Sequence, residues 1–87
     1  MDREKLKAKI AGNPKHVRFE ELDRLLRLYG FEPRIPKRGT SHVIYKHGAL
    51  LISVPKHRPH LKENYVREAL KLIEVEESER RASGEKD

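Results

Sequence analysis

The chain contains no cysteine, so it has neither a disulfide framework nor a thiolate metal site. It also contains no apolar run approaching the length of a signal peptide or of a membrane-spanning helix. Together these absences predict a soluble, cytoplasmic protein that does not bind a membrane.

Acidic residues are missing from the middle of the chain, between Glu32 and Glu63. The intervening residues, 33–62, are rich in cations and histidine: Arg34, Lys37, Arg38, Lys46, Lys56, Arg58, Lys62, His42, His47, His57 and His60. A segment of this kind is suited to a phosphate backbone and poorly suited to a divalent metal, whose usual ligands are carboxylates. Nucleic acid is therefore the first ligand to consider, and the alternative is a solvated basic surface without a partner.

The 87 residues, of which 36% are hydrophobic, are enough for one small domain with a thin core of two packed layers. The formal charge of +6 understates the asymmetry, because residues 74–87 hold six acids against three bases. Residues 1–73 carry a net charge of +9. A shallow surface site for a large anionic ligand fits this composition better than an enclosed pocket for a small one.

Apolar spacing predicts two amphipathic helices. The first runs from about Arg18 to Tyr29 and ends at Gly30, which can adopt the terminating left-handed conformation. The second is defined by apolar positions between residues 65 and 73. Residues 1–11 could form a short additional helix, and the segment beyond Val75 has no apolar period, which is typical of a frayed or disordered tail.

Three strands are predicted between these helices, over residues 31–36, 42–46 and 50–54, the last two as a hairpin. The order gives an α+β fold, α-β-β-β-α, in which a three-stranded antiparallel sheet has both helices on one face. This layout is similar to that of the double-stranded-RNA-binding domain. The predicted divisions are an N-terminal extension (1–12), the domain (13–75) and a flexible charged tail (76–87). The sheet faces of His42 and Tyr45 remain open, because either register is compatible with the pattern.

The densest group of potentially reactive residues is Pro36-Lys37-Arg38-Gly39-Thr40-Ser41-His42, a loop that leads into a strand. RNA carries its own nucleophile, the 2′-hydroxyl, so its cleavage needs a proton acceptor, a proton donor and positive charge, but no metal. A neutral imidazole at His42 could accept the proton. The alternative is a packed or solvated histidine without a catalytic role.

Two other kinds of site have little support. A two-metal nuclease needs several converging carboxylates, which this segment lacks. His57 and His60 have no neighbouring cysteine or carboxylate, and Pro59 lies between them, so a zinc site there is disfavoured. We expect neither a metal nor a cofactor.

Several motifs resemble those of the HicA toxins of toxin–antitoxin systems. They are Asn13-Pro14-Lys15, the run from Val17 to Leu22, Leu28-Tyr29-Gly30-Phe31, Gly39-Thr40-Ser41-His42, Tyr45-Lys46-His47, Ser53-Val54-Pro55 and the run from Leu61 to Ile73. The resemblance covers about residues 13–75, and it depends on the order and spacing of motifs that are individually unspecific. One departure is Val43, which stands where the family often has a second histidine; His47 could substitute, but it lies across the odd–even boundary of the strand.

The resemblance implies a metal-independent endoribonuclease that cleaves mRNA, with His42 as the catalytic residue. The candidate RNA-binding residues are Lys15, Lys37, Arg38, Gly39, Thr40, Ser41, Lys46 and Lys56. The resemblance also implies a HicB-like antitoxin that covers the basic face and His42. Two alternatives stay open: a non-catalytic RNA-binding domain of the same fold, and an adaptor whose basic face binds only an acidic protein.

Overall fold

The computed structural model describes residues 2–36 and 41–83. It contains three helices and three strands: α1 (Arg3–Gly12), α2 (Phe19–Leu28), β1 (Glu32–Arg34), β2 (His42–His47), β3 (Leu50–Pro55) and α3 (Glu63–Ala82). The strands form one antiparallel sheet in the order β1-β2-β3, and the helices pack on one of its faces. The predicted α+β architecture is confirmed, including the short N-terminal helix. None of the described helices is long and apolar enough to cross a membrane.

The helix α2 begins and ends close to the predicted residues. The Glu21 carboxylate accepts a hydrogen bond of 3.0 Å from the Arg18 amide, which satisfies a donor that the first turn would otherwise leave unpaired. Gly30 has a φ of +92°, in the left-handed region that favours glycine, as predicted. A β carbon at this position would approach the His47 ring to 3.1 Å, so another residue would also require that ring to shift by a few tenths of an ångström.

The core lies between the helices and the inner face of the sheet. Of the residues predicted to form it, Leu22, Leu26, Tyr29, Val66 and Ile73 are buried, whereas Phe19 and Leu70 are partly buried. The strands add Val43, Tyr45, Ile52 and Val54, and α1 adds Leu6 and Ile10. The first twelve residues thus contribute to the same core as the rest of the chain.

The prediction that structure ends near Val75 is wrong, because α3 continues to Ala82. Glu76 is buried and accepts hydrogen bonds from the Arg80 guanidinium, the shorter at 2.8 Å. Glu77 forms a 2.8 Å ion pair with Lys7 of α1. The added turns are therefore held by charged contacts, which a search for apolar periodicity does not detect.

The buried Tyr29 lies near Arg3 of α1, whose guanidinium is 4.7 Å from the ring centroid. Burial, with a contribution from the Glu77 carboxylate, raises the pKa of Tyr29 to about 12. A tyrosine in the unfolded chain ionises near pH 10, so between pH 10 and 12 the folded state binds more protons than the unfolded state. The free energy of unfolding should therefore fall as pH rises through this window. Urea midpoints measured from pH 9 to 12 should show a shallower fall for Tyr29→Phe than for wild type; equal slopes would contradict the assignment.

Candidate functional site

The strand register determines which side chains share the outer face of the sheet. His42, Ile44 and Lys46 alternate with the buried Val43 and Tyr45 along β2. Because partners across an antiparallel ladder point to the same side, the pairings assign the remaining members. The outer face, called the open face below, consists of Glu32, Arg34, His42, Ile44, Lys46, Leu51, Ser53 and Pro55.

His42 is exposed at the start of β2, opposite Pro55 of β3. Tyr45 points to the other side, where its hydroxyl donates a 2.5 Å hydrogen bond to the Asp23 carboxylate. Burial, followed by this hydrogen bond, raises the pKa of Tyr45 above its ordinary value. The register that the sequence left open is thus resolved, with His42 on the open face and Tyr45 in the core.

Two cations share the open face with His42. Lys46 lies four residues further along β2, about 13 Å away at the usual rise of a strand. Arg34 pairs with Ile44 and therefore lies diagonally across the ladder from His42. Lys46 was predicted as an RNA-binding residue, whereas Arg34 was not. Alternation within β1 could have identified Arg34 only once the β1–β2 register was known.

The other predicted RNA-binding residues are distributed between two places. Ser41 directly precedes His42, and its carbonyl accepts a 2.8 Å hydrogen bond from the Lys56 amide, so both residues lie at the His42 end of the hairpin. The Lys56 ammonium is 5.9 Å from the centroid of the Phe19 ring, on the helix side. Lys15 is exposed in the turn before α2 and is not part of a strand of the sheet. Lys37, Arg38, Gly39 and Thr40 lie outside the described residues.

Three other histidines, His47, His16 and His60, pack against neighbours elsewhere in the structure. His47 lies on the helix side of the sheet, where its ring packs against Phe31 and its Nε2 atom is 3.6 Å from the Glu76 carboxylate. It therefore cannot replace a second histidine beside His42. His16 and His60 pack edge to face with centroids 5.2 Å apart, which joins the turn before α2 to the loop after β3.

Carboxylates are scarce on the open face. Among the strand residues that form it, Glu32 is the one acid, and it pairs with Lys46 at the end distant from His42. Within residues 2–36 and 41–83, no group of three or more His, Asp or Glu side chains is placed to hold a metal ion. The described part of the open face thus offers positive charge and an exposed imidazole.

Comparison with known protein families identifies the family of the chain. A sequence model of the family described as HicA toxin of bacterial toxin–antitoxin systems matches residues 19–75, which include α2, the whole sheet and most of α3. No curated protein and no solved structure matched the chain. The matched segment contains His42 and every other residue of the open face. The chain therefore belongs to the HicA toxin family, the toxin components of toxin–antitoxin systems, which implies an antitoxin as its partner.

Proposed function

We propose that the protein is a metal-independent endoribonuclease that cleaves mRNA and uses His42 as its catalytic histidine. The observation that carries the proposal is the exposed position of His42 on an open face whose described strand residues include two cations, Arg34 and Lys46, and one carboxylate, which lies at the far end. Membership of a toxin family supplies a biological context for such an activity.

His42 would act on the nucleophile that RNA itself provides. A neutral imidazole accepts the proton of a 2′-hydroxyl, and the resulting oxygen attacks the adjacent phosphorus. The bond to the 5′ oxygen breaks and that oxygen is protonated as it leaves, so the upstream fragment ends in a 2′,3′-cyclic phosphate and the downstream fragment begins with a 5′-hydroxyl. Water is not consumed in this step, and no metal-bound hydroxide is needed.

Positive charge on the open face would hold the RNA backbone. Arg34 can donate two parallel hydrogen bonds to a phosphate near His42, and Lys46 can bind a phosphate further along the strand. We propose Ser41, Lys56 and Lys15 as further contacts, together with Lys37, Arg38, Gly39 and Thr40. Affinity supplied by such contacts falls steeply as salt concentration rises.

We further propose that the antitoxin is HicB-like and covers the open face, including His42. The net charge of +9 on residues 1–73 would attract an acidic surface and accelerate association. Occupation of this face by the antitoxin would exclude RNA, so one contact would both bind the partner and inhibit the toxin.

A non-catalytic RNA-binding domain of the same fold is the second candidate. It is favoured by one observation: among the side chains that the described strands place on the open face, His42 is the one imidazole, with no second histidine beside it. General acid–base cleavage employs both a proton acceptor and a proton donor. A protein that only binds RNA would need the cations Arg34 and Lys46 but no such pair.

Cleavage of a single-stranded RNA, followed on a denaturing gel, separates the two candidates. We expect wild-type protein to cleave at the same rate in EDTA and in Mg²⁺, and to leave 2′,3′-cyclic phosphate ends. A requirement for Mg²⁺ would contradict metal independence. Binding of the RNA without cleavage in either buffer would support the non-catalytic candidate.

A further inference from the structure

A groove lies on the helix side of the sheet, between α2 and the ends of the strands. Its volume is about 260 Å³, and it is called the α2 groove below. Its lining residues are Phe19, Asp23, Arg27, Pro33, Ile35, Val43 and Lys56. None of the motifs that indicated RNA cleavage requires a groove at this position.

The α2 groove lies at the same end of the sheet as His42. Val43, which lines it, directly follows His42 in β2 and points to the opposite face. Lys56, at another part of the lining, is tied through its amide to the carbonyl of Ser41. A nucleotide next to the one at His42 could therefore place its base around this end of β2 and into the groove.

The walls of the groove suit a flat, apolar ring. Phe19 supplies an aromatic face that is partly buried, and Pro33 and Val43 supply aliphatic surface. Ile35 extends the apolar lining and is 67% exposed, a large fraction for an isoleucine. Among the described strand residues, none on the open face is Phe, Tyr or Trp, so this groove provides a larger stacking surface than the open face does.

One wall of the groove is polar and fixed in orientation. The Asp23 carboxylate accepts hydrogen bonds from the Tyr45 hydroxyl at 2.5 Å and from the Arg27 Nε atom at 3.0 Å. Both partners hold the carboxylate in place while leaving lone pairs available. Arg27 is itself exposed, and the hydrogen bonds it makes within the described part of the chain use only Nε, so its two Nη groups can donate to a ligand.

We propose that the α2 groove binds one unstacked guanine of the RNA and so determines sequence preference. Guanine presents two adjacent donors, N1–H and N2–H, which match the Asp23 carboxylate. It also presents two acceptors, O6 and N7, which match the paired donors of Arg27. The guanine ring packs against Phe19. Lys56 lies close to the Phe19 ring and can therefore contact the phosphate of the same nucleotide. The inference rests on the proposed function, because it assumes that RNA is the substrate.

Binding of mononucleotides tests the groove without any cleavage. Purified full-length protein is titrated with GMP, AMP, CMP and UMP, and amide shifts are followed by two-dimensional NMR. Only guanine can make both bidentate contacts, so GMP should bind at least about 10-fold more tightly than the other three. The largest shifts should fall on Phe19, Asp23, Arg27 and Val43. Equal affinity for the four nucleotides would overturn the proposal.

Matched carboxylate variants of α2 make the test specific. Asp23→Asn keeps an acceptor for the Tyr45 hydroxyl but replaces one oxygen by a donor, and it should abolish the preference for GMP. Glu20→Gln removes a carboxylate from the same helix, outside the groove, and should keep that preference. If the asparagine variant does not fold, Arg27→Gln, at an exposed position, should lower GMP affinity instead. Retention of full GMP preference by a folded groove variant would overturn the assignment.

The RNA-cleavage gel, combined with nucleotide binding, distinguishes failure of this inference from failure of the proposed function. A protein that prefers GMP but cleaves no RNA would contradict the ribonuclease and leave the groove supported. Cleavage that shows no base preference, together with equal binding of the four nucleotides, would support the ribonuclease and reject the groove.

Discussion

The substitution His42→Ala is expected to lower the rate of RNA cleavage by at least about 100-fold, the lower end of what general acid–base catalysis contributes. The side chain is exposed at a strand end, so its removal opens no cavity and should leave the fold intact. RNA affinity should stay within about 3-fold, because phosphate contacts by cations dominate it. Single-turnover cleavage and filter binding, on protein checked by circular dichroism, measure the two effects.

His57→Ala is the matched control for this substitution. His57 is also an exposed histidine of the acid-free segment, but it lies in the loop after β3 rather than on the open face. Its replacement should leave the cleavage rate nearly unchanged. The catalytic role of His42 would be refuted if its alanine variant kept more than a tenth of the wild-type rate, or if both variants lost activity equally.

The order of elements was predictable because each has a strong local pattern. The apolar positions of α2 follow helical spacing, and the same side chains, Leu22 and Leu26 among them, fill the core. The hairpin of β2 and β3 is marked by its apolar runs and by Gly48, which has a positive φ in the turn. These features depend on neighbours in sequence, so sequence alone is sufficient to find them.

The sequence alone could not predict which side chains of β2 point into the core, because Val43, Ile44 and Tyr45 are all apolar and either alternation gives a plausible core. The deciding contact comes from Asp23, 22 residues earlier in the chain, which pairs with the Tyr45 hydroxyl. The identity of His42 as a candidate was therefore available from the sequence, whereas its exposure on the open face was not.

The end of α3 shows a second limit of the same kind. Residues 76–82 contain no apolar period, but Glu76 accepts a hydrogen bond from Arg80 one turn away, and Glu77 forms an ion pair with Lys7 on α1. The first contact is local, and the second joins residues 70 positions apart. A charged segment is predicted to be disordered when such partners are unknown, although here it forms two further turns of helix.

Only some members of the candidate site were predictable, because others are brought close to His42 by strand pairing rather than by sequence. Ser41 and Lys46 were identified because they are close to His42 in sequence. In the structure Ser41 directly precedes β2 and Lys46 lies within it. Arg34 was not identified, because its proximity to His42 depends on the pairing of β1 with β2. Lys15 was also predicted to bind RNA, and the structure places it in the turn before α2, outside the strands.

The largest effect on stability is expected at the centre of the core. Leu26 is fully buried on α2, between the sheet and the other helices. Leu26→Ala removes three heavy atoms from a closely packed region and should reduce the free energy of unfolding by about 2–5 kcal/mol. Small domains have about 5–15 kcal/mol in total, so the variant should unfold at a markedly lower urea concentration. Circular dichroism during urea titration gives both free energies.

Leu28→Ala, on the same helix, controls for the intrinsic preference of alanine for helical structure. Leu28 is 37% exposed, so the same chemical change there removes far less buried surface. We expect its effect to stay below about 1 kcal/mol, since the transfer contribution scales with buried apolar area and no closed cavity forms. Equal losses for the two leucines would mean that Leu26 is not buried in solution. Such a result would contradict the packing of α2 on the sheet, and with it the arrangement in which the helices cover one face of the sheet and leave the other uncovered.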